Sequence, residues 1–389
     1  MSSPDSPGSE QAAFLRRQFP ILERPPYLNH AAVGPWPRTT AQAVTAFADE
    51  NSHVAAANYP QWMRRESALR EDLATLTGAA SADDIALLKN TTEGVSFVAW
   101  GLDWRDGDNI VLPKGEFPSN RLPWLAQTDR GVEVREVDIR RAREAEAALI
   151  DAMDARTRLL SVSAVQWSDG FRLDLPTLGE ACRERDAWFF VDAIQQLGAL
   201  PLNVRESGID FLAADAHKWL LGPEGIAVFY CSEAARAALR LTQQGWRMFE
   251  DPFNFAREDW TPAASARRFE AGSPNSMGQA AMHASLRLLL EQGMESVGTR
   301  VLRNTARLIE ALQAMPGLQL TSRTEPRRRS GIVSFRSERI PAQRLYRQLL
   351  DAGVGCALRG ESVRLSPHFY QGEAVLDAFS GILESALKG

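Results

Sequence analysis

The segment Trp188–Tyr230 reads WFFVDAIQQLGALPLNVRESGIDFLAADAHKWLLGPEGIAVFY. It opens on a short apolar run, Trp188 to Val191, rich in aromatic and β-branched residues and closed by Asp192. A run of that length and composition reads as a buried parallel strand rather than a helix. Asp192 then stands at the strand's carboxyl end, the edge of an open α/β sheet where ligands bind. A second run, Asp210 to Ala214, leads into Asp215-Ala216-His217-Lys218, and Gly222-Pro223 separates these from a third run, Gly225 to Tyr230. Lys218 therefore falls in a turn between two strands.

A carboxylate at one strand end and an amine at the next are the two groups that pyridoxal phosphate requires. The amine forms a Schiff base with the aldehyde, and the carboxylate keeps the pyridine nitrogen protonated so that the ring accepts carbanion electrons. Apart, a loop lysine is a solvated charge and a strand-end aspartate is a helix cap. Together they form a rarer pattern.

The strings VDAIQQLG and DFLAADAHKWLLGPEGIAVFY resemble the cofactor-binding core of the class V aminotransferase family, fold-type I pyridoxal-phosphate enzymes that include cysteine desulfurases, kynureninases and isopenicillin epimerases. Family-like strings run from about Tyr27 to the end of the chain. The resemblance implies a large α/β domain with a mostly parallel seven-stranded sheet and a smaller α+β domain. The expected division is residues 1–25 as a tail and a segment that goes with the small domain, 26–280 as the cofactor-binding domain and 281–389 as the small domain. Pattern alone supports only α/β, from the alternation of strands and helices.

The remaining site expectations follow the chain. YLNHAAVGPWP, Tyr27–Pro37, has a glycine and prolines that demand a fixed irregular path, and it is similar to a family loop on the substrate side. Asn29 and His30 are thereby candidate substrate contacts, with local turn hydrogen bonds as the alternative. In KNTTEGVSFVAWGL, Thr91 and Thr92 stand where a strand gives way to a helix, and free N–H groups with two hydroxyls there make an anion site. Helix capping alone explains one of them; the resemblance implies that the pair binds the cofactor phosphate. KGEFPSNRLPW carries Phe117 where family members place a ring, often histidine, over the pyridine face, so Phe117 is the expected stacking ring. Unlike histidine, it moves no proton.

Gln166, after the strand-like Arg158–Val165, matches by type a family amide near the cofactor's phenolic oxygen, and Gln195 matches a second. His217 resembles the residue that contacts phosphate or supports the lysine. Asp215 stands where desulfurases commonly carry serine, and an ionised acid there would repel phosphate, so it is expected to point away and pair locally. RRFEAGSPNS is similar to a crossing loop whose hydroxyl, Ser276 here, reaches the neighbouring subunit's phosphate, which implies a homodimer with shared active sites. Arg364, in VRLSPHFY, matches the arginine that holds the substrate α-carboxylate through a bidentate fork. Its strand reads as an edge, where an arginine would face solvent. Arg359 is a second candidate.

At 389 residues with a net charge of −5, the chain is long enough for a large core and carries no basic stripe that would suggest nucleic acid. No apolar run approaches the ~20 residues of a membrane span. MSSPDSPGSEQ lacks an apolar signal core and reads as a disordered tail. The cysteines Cys182, Cys231 and Cys356 have neither paired nor metal-ligand spacing, so no metal is expected and a cytoplasmic setting fits.

The resemblance implies an enzyme acting at the α-carbon of a small amino acid, through a Lys218 aldimine and a quinonoid that Asp192 supports. Transamination is the leading expectation, with C–S β-lyase or desulfurase-like activity, or epimerisation, as alternatives. A catalytically dead cofactor-binding scaffold or sensor is the non-enzyme alternative. Persulfide transfer through a protein thiol is disfavoured, because Arg359-Gly360-Glu361-Ser362-Val363 leads directly to Arg364 without a cysteine-bearing loop.

Overall fold

Successive side chains along a strand point to opposite sides of the sheet, and the runs Trp188–Val191 and Phe211–Ala214 are apolar on both sides. The structure, a computed structural model, describes residues 7–388. Within it, β1 (Ile85–Leu88), β2 (Asn109–Pro113), β3 (Glu133–Val137), β4 (Thr157–Ser163), β5 (Trp188–Asp192), β6 (Phe211–Asp215) and β7 (Ala227–Cys231) form a seven-stranded sheet of order β1-β7-β6-β5-β4-β2-β3. The pairs from β3 through β6 are parallel, whereas β6–β7 and β7–β1 are antiparallel. Phe189, Val191, Leu212 and Ala214 face one buried cluster, and Phe190, Phe211 and Ala213 face another. Helices cover both faces, which is why the central strands have no polar side.

A second sheet, antiparallel, contains β8 (Leu318–Leu320), β9 (Val333–Ser337), β10 (Ala357–Arg359) and β11 (Ser362–Leu365) in the order β10-β11-β9-β8. Its core, including Leu308, Phe335, Leu345 and Phe379, is separate from the other two. The N-terminal segment joins this region to the large sheet. Tyr27 and Asn29 form isolated parallel bridges with Gly355 and Ser366, and Phe19 stacks on Tyr370 with ring centroids 3.6 Å apart.

Most elements lie where the sequence placed them, to within a few residues. The disordered tail was expected through Gln11, but a helix spans Pro7–Gln18, and proline suits its first turn because the missing N–H has no partner there. Residues 1–6 lie outside the described residues. The strands β3 and β8 and the helices Ala145–Asp151 and Leu175–Glu184 were not anticipated. The β11 strand is internal rather than an edge, lying between β10 and β9.

Candidate functional site

Four strand ends converge. β5 ends at Asp192 and β6 at Asp215, while β2 and β4 lead into Glu116-Phe117 and Gln166-Trp167. Lys218 lies in the turn after β6 and is only 8% exposed, with Nζ 5.5 Å from the Phe117 ring centroid. The turn is held from outside by the Tyr27–Pro37 loop. Gly34 N–H donates to the His217 carbonyl at 2.7 Å, and a Cβ on Gly34 would stand 2.2 Å from the Lys218 carbonyl oxygen, so only glycine permits this approach. Leu221, closing the turn, adopts a left-handed φ of 57°.

Burial lowers the Lys218 amine to about 8, with the Asp192 and Asp215 carboxylates opposing that shift and Arg364 and Arg359 adding to it. A near-neutral amine is the form that attacks an aldehyde and later accepts a proton. Asp192 is fully buried and accepts one hydrogen bond, from Ile194 N–H at 3.0 Å. Burial pushes its carboxyl up to about 7, and the Glu116 charge adds to the rise. Asp192 therefore lacks a strong cation partner and suits a protonated ring nitrogen.

Glu116 escaped the sequence reading. It is 4% exposed and accepts hydrogen bonds from Ser163 N–H at 2.8 Å, from the Ser163 hydroxyl and from the Gln166 amide at 2.8 Å. The Gln166 side chain is thus tethered by Glu116. The Gln195 amide is held at both ends, donating to Ala31 O at 3.0 Å and accepting from Trp219 Nε1 at 2.9 Å. These two bonds tie the Tyr27–Pro37 loop to Trp219, in the turn that carries Lys218.

At the start of the helix Thr91–Gly101, Thr91 departs from expectation. Its N–H and its hydroxyl, at 3.0 Å, both donate to Asp215 Oδ1. Asp215 therefore does not point away. It takes the place in the cradle that an anion would occupy, and stands 3.3 Å from His217 Nδ1 without a hydrogen bond between them. Thr92 remains exposed at the cradle, bonded to Ser119 Oγ at 2.8 Å. Ser276 is the first residue of the helix Ser276–Gln292, capped by Asn275.

The opposite end of the site is cationic. Arg364, on β11, is 1% exposed; Nη1 donates to Trp167 O at 2.5 Å, but Nε and Nη2 are buried with no partner. Arg359 Nε is likewise buried without a partner, and its guanidinium lies 5.5 Å from the Trp167 ring centroid. Burial, with the Arg359 charge adding to it, lowers Arg364 to about 9. Buried guanidinium nitrogens without an acid demand an anion. Trp167, which packs edge-on against Phe117 with centroids 5.6 Å apart, forms the wall between the two ends. Its aromatic character beside Gln166 was the available signal.

Asn29 Oδ1 is buried with no partner, which leaves it open to a ligand. His30 is not. It is fully buried, with Nδ1 2.8 Å from Ser366 O and Nε2 2.6 Å from the Tyr370 hydroxyl, packed among Tyr27, Trp219 and His368. Burial holds its pKa well below the usual range. Both ring nitrogens have partners inside the protein, which tie the loop to Ser366 and Tyr370. All three cysteines are buried, and burial raises each thiol, Cys182 and Cys356 to about 12. Among the described residues no group of His, Cys, Asp and Glu is placed to hold a metal ion, and no helix is long and apolar enough to cross a membrane.

The chain is similar to a probable cysteine desulfurase of Methanothermobacter thermautotrophicus, at 29% identity covering 95% of this chain and 96% of that protein. It also resembles an uncharacterized aminotransferase of Bacillus subtilis, YcbU, at 28% identity over 91% and 92%. Among solved structures, C-DES, a cystine C–S lyase, is similar in complex with its product cysteine persulfide, at 25% identity, TM-score 0.86 and coverage of 94% of this chain and 99% of that one. A C-DES mutant with glycine covalently linked to its PLP cofactor gives 25% identity and TM-score 0.87 over 95% and 98%. The residues here fit that cofactor: a buried amine lowered to about 8, a buried acid without an ion-pair partner, an aromatic ring over the amine and unpartnered guanidinium nitrogens. The family model described as aminotransferase class-V matches residues 26–370, and the chain belongs to that family.

Proposed function

We propose that the chain is a pyridoxal-phosphate-dependent C–S β-lyase acting on a sulfur-containing amino acid, with sulfur leaving in a small-molecule product. The observation that carries the amino-acid reading is the Arg364 guanidinium, whose buried Nε and Nη2 lack any partner and suit an α-carboxylate. Relatives named for sulfur removal support lyase chemistry over the transamination expected from sequence. Release into solution is favoured by the thiols: Cys356, the one nearest Arg364 in sequence, is buried with its pKa pushed up to about 12, whereas a sulfur acceptor must be an exposed thiolate.

Bound pyridoxal phosphate supplies an electron sink for the carbanion formed at the substrate α-carbon. The chain's residues do the rest. Arg364, with Arg359, binds and orients the carboxylate, and Asn29 Oδ1 accepts from a substrate N–H. Lys218 holds the cofactor, then moves the proton from Cα. Asp192 keeps the ring nitrogen protonated, Phe117 packs against the ring face, and Thr92 and His217 hold the phosphate. Overall, the Cα–H and Cβ–S bonds break, the sulfur leaves with the bonding pair, and water completes conversion to pyruvate and ammonia. With cysteine the leaving group is sulfide; with a disulfide amino acid it is a persulfide. A homodimer in which Ser276 reaches the partner's phosphate is part of the proposal.

The test incubates the holoenzyme with cysteine, cystine and a panel of other amino acids and identifies the products. Pyruvate, ammonia and reduced sulfur in equal amounts support the proposal. Alanine with a protein-bound persulfide would overturn it in favour of a desulfurase, a keto acid with pyridoxamine phosphate in favour of transamination, and inverted substrate in favour of epimerisation. Cofactor absorbance unmoved by every amino acid would indicate a scaffold.

A further inference from the structure

The β-elimination just described gives no role to Asp215, a half-buried acid of the site. Asp215 ends β6 two residues before His217, and its Oδ1 accepts from both the N–H and the hydroxyl of Thr91 at the start of the helix Thr91–Gly101. In the same first turn the Glu93 N–H is taken by Asn90 Oδ1 at 2.9 Å. A helix N-terminus binds anions because its first N–H groups are free. Here two of them are already engaged by the protein, one by a carboxylate. Phosphate arriving beside Thr92 therefore meets an acid that occupies part of its own cradle.

We infer that Asp215 makes capture of the cofactor phosphate a proton-consuming step, the proton being held by the Asp215–His217 pair. The inference rests on the pyridoxal-phosphate reading above. His217 Nδ1 lies 3.3 Å from Asp215 Oδ2 with no hydrogen bond in place, and both side chains are 15% exposed. The other charged groups that face this pair are Lys218, Asp192 and Glu224. Burial pushes His217 below its usual range, although the Asp215 charge opposes this, and burial raises Asp215. The imidazole thus holds a proton weakly before phosphate arrives. A dianion placed next to an ionised carboxylate in this poorly hydrated cradle reverses that balance. Once protonated, His217 offsets the charge of the Asp215 carboxylate, whose Oδ2 lies 3.3 Å from its Nδ1. Without Asp215, the cradle has less negative charge to offset and less reason to take up a proton.

Calorimetry of the full-length apoprotein with pyridoxamine 5′-phosphate tests this, because that probe lacks the aldehyde and so avoids the covalent chemistry of Lys218. Titrations at pH 8 in buffers of different ionisation heat read the number of protons taken up. The wild type is expected to take up close to one proton more than Asp215→Asn, whose amide oxygen still accepts from Thr91. Wild-type affinity should fall by up to about tenfold per pH unit through the pair's titration, a slope that the variant loses. Pyridoxamine without phosphate should show no difference between the two proteins. Equal uptake in wild type and variant, or none in the wild type, would overturn the inference. If Asp215→Asn does not fold, Asp215→Ser is held to the same two outcomes. Absence of saturable binding in the wild type would overturn the cofactor reading itself, and the inference with it.

Discussion

The two ends of the site are built on opposite principles. At the large-sheet end, most polar groups already have partners within the protein: Asp215 holds Thr91, Glu116 holds Ser163 and Gln166, and Gln195 bridges Ala31 and Trp219. At the small-sheet end, Arg364 and Arg359 carry buried nitrogens with no partner. A satisfied network is rigid; an unsatisfied buried cation is destabilising until something anionic arrives. The first end suits a cofactor that stays and the second a substrate that comes and goes.

The largest effect is expected at the rigid end. Lys218→Ala should lower turnover by about 10²–10⁴-fold or more and abolish covalent attachment of the cofactor, read by borohydride trapping and mass spectrometry. Attachment that survives would place the reactive amine elsewhere.

Arg364→Met tests the open end. Loss of a buried charge pair with substrate corresponds to about 2–5 kcal/mol, so KM should rise by about 30-fold or more while cofactor affinity holds. The same substitution should raise the melting temperature of the substrate-free protein, since it removes an unpartnered buried charge. A lower melting temperature with unchanged KM would mean that the guanidinium is structural and would erase the contrast.

A smaller effect concerns pH. The Asp192 carboxyl is raised to about 7 by burial, against an ordinary value of about 3.9. A raised folded-state pKa contributes stability that is fully present below the unfolded value and is lost as pH rises through the folded one. The apoprotein should therefore lose stability between about pH 4 and 7, and Asp192→Asn should flatten that slope, measured by urea midpoints across the range. A slope identical in the variant would leave Glu116, whose carboxyl burial also raises, as the group responsible.

The smallest effect expected is none. Cys356→Ala should leave the yield of reduced sulfur unchanged, because a buried thiol pushed up to about 12 has almost no thiolate. A loss of sulfur release would make Cys356 an acceptor and revive the protein-persulfide route.

Much of the fold was legible because its strands announce themselves locally. The run Trp188–Asp192 is apolar on both faces, as a strand between two helix layers must be, and Ala227–Cys231 is the same. The strand Glu133–Val137 was missed because it lies at the sheet edge and its alternating acids and arginine resemble a solvated loop. In the site, Asp192, Lys218 and Phe117 come together as read. The partners of His30 and Thr91 were not legible for a shared reason: each is a ligand type by chemistry, and only the fold brings Tyr370 and Ser366 to one and Asp215 to the other.

The sequence by itself determined the strand periodicity, the acid and lysine at successive strand ends, and the family. Those properties are local, carried by short strings whose side chains and spacing express them directly. Only the tertiary structure decided which polar groups are already satisfied. Glu116 lies 47 residues from Ser163 and Thr91 124 residues from Asp215, and hydrogen bonding depends on distances of a few ångströms that chain separation does not encode. The open valences of Arg364 are likewise set by what folds around it, which buries Nε and Nη2 without supplying them a partner.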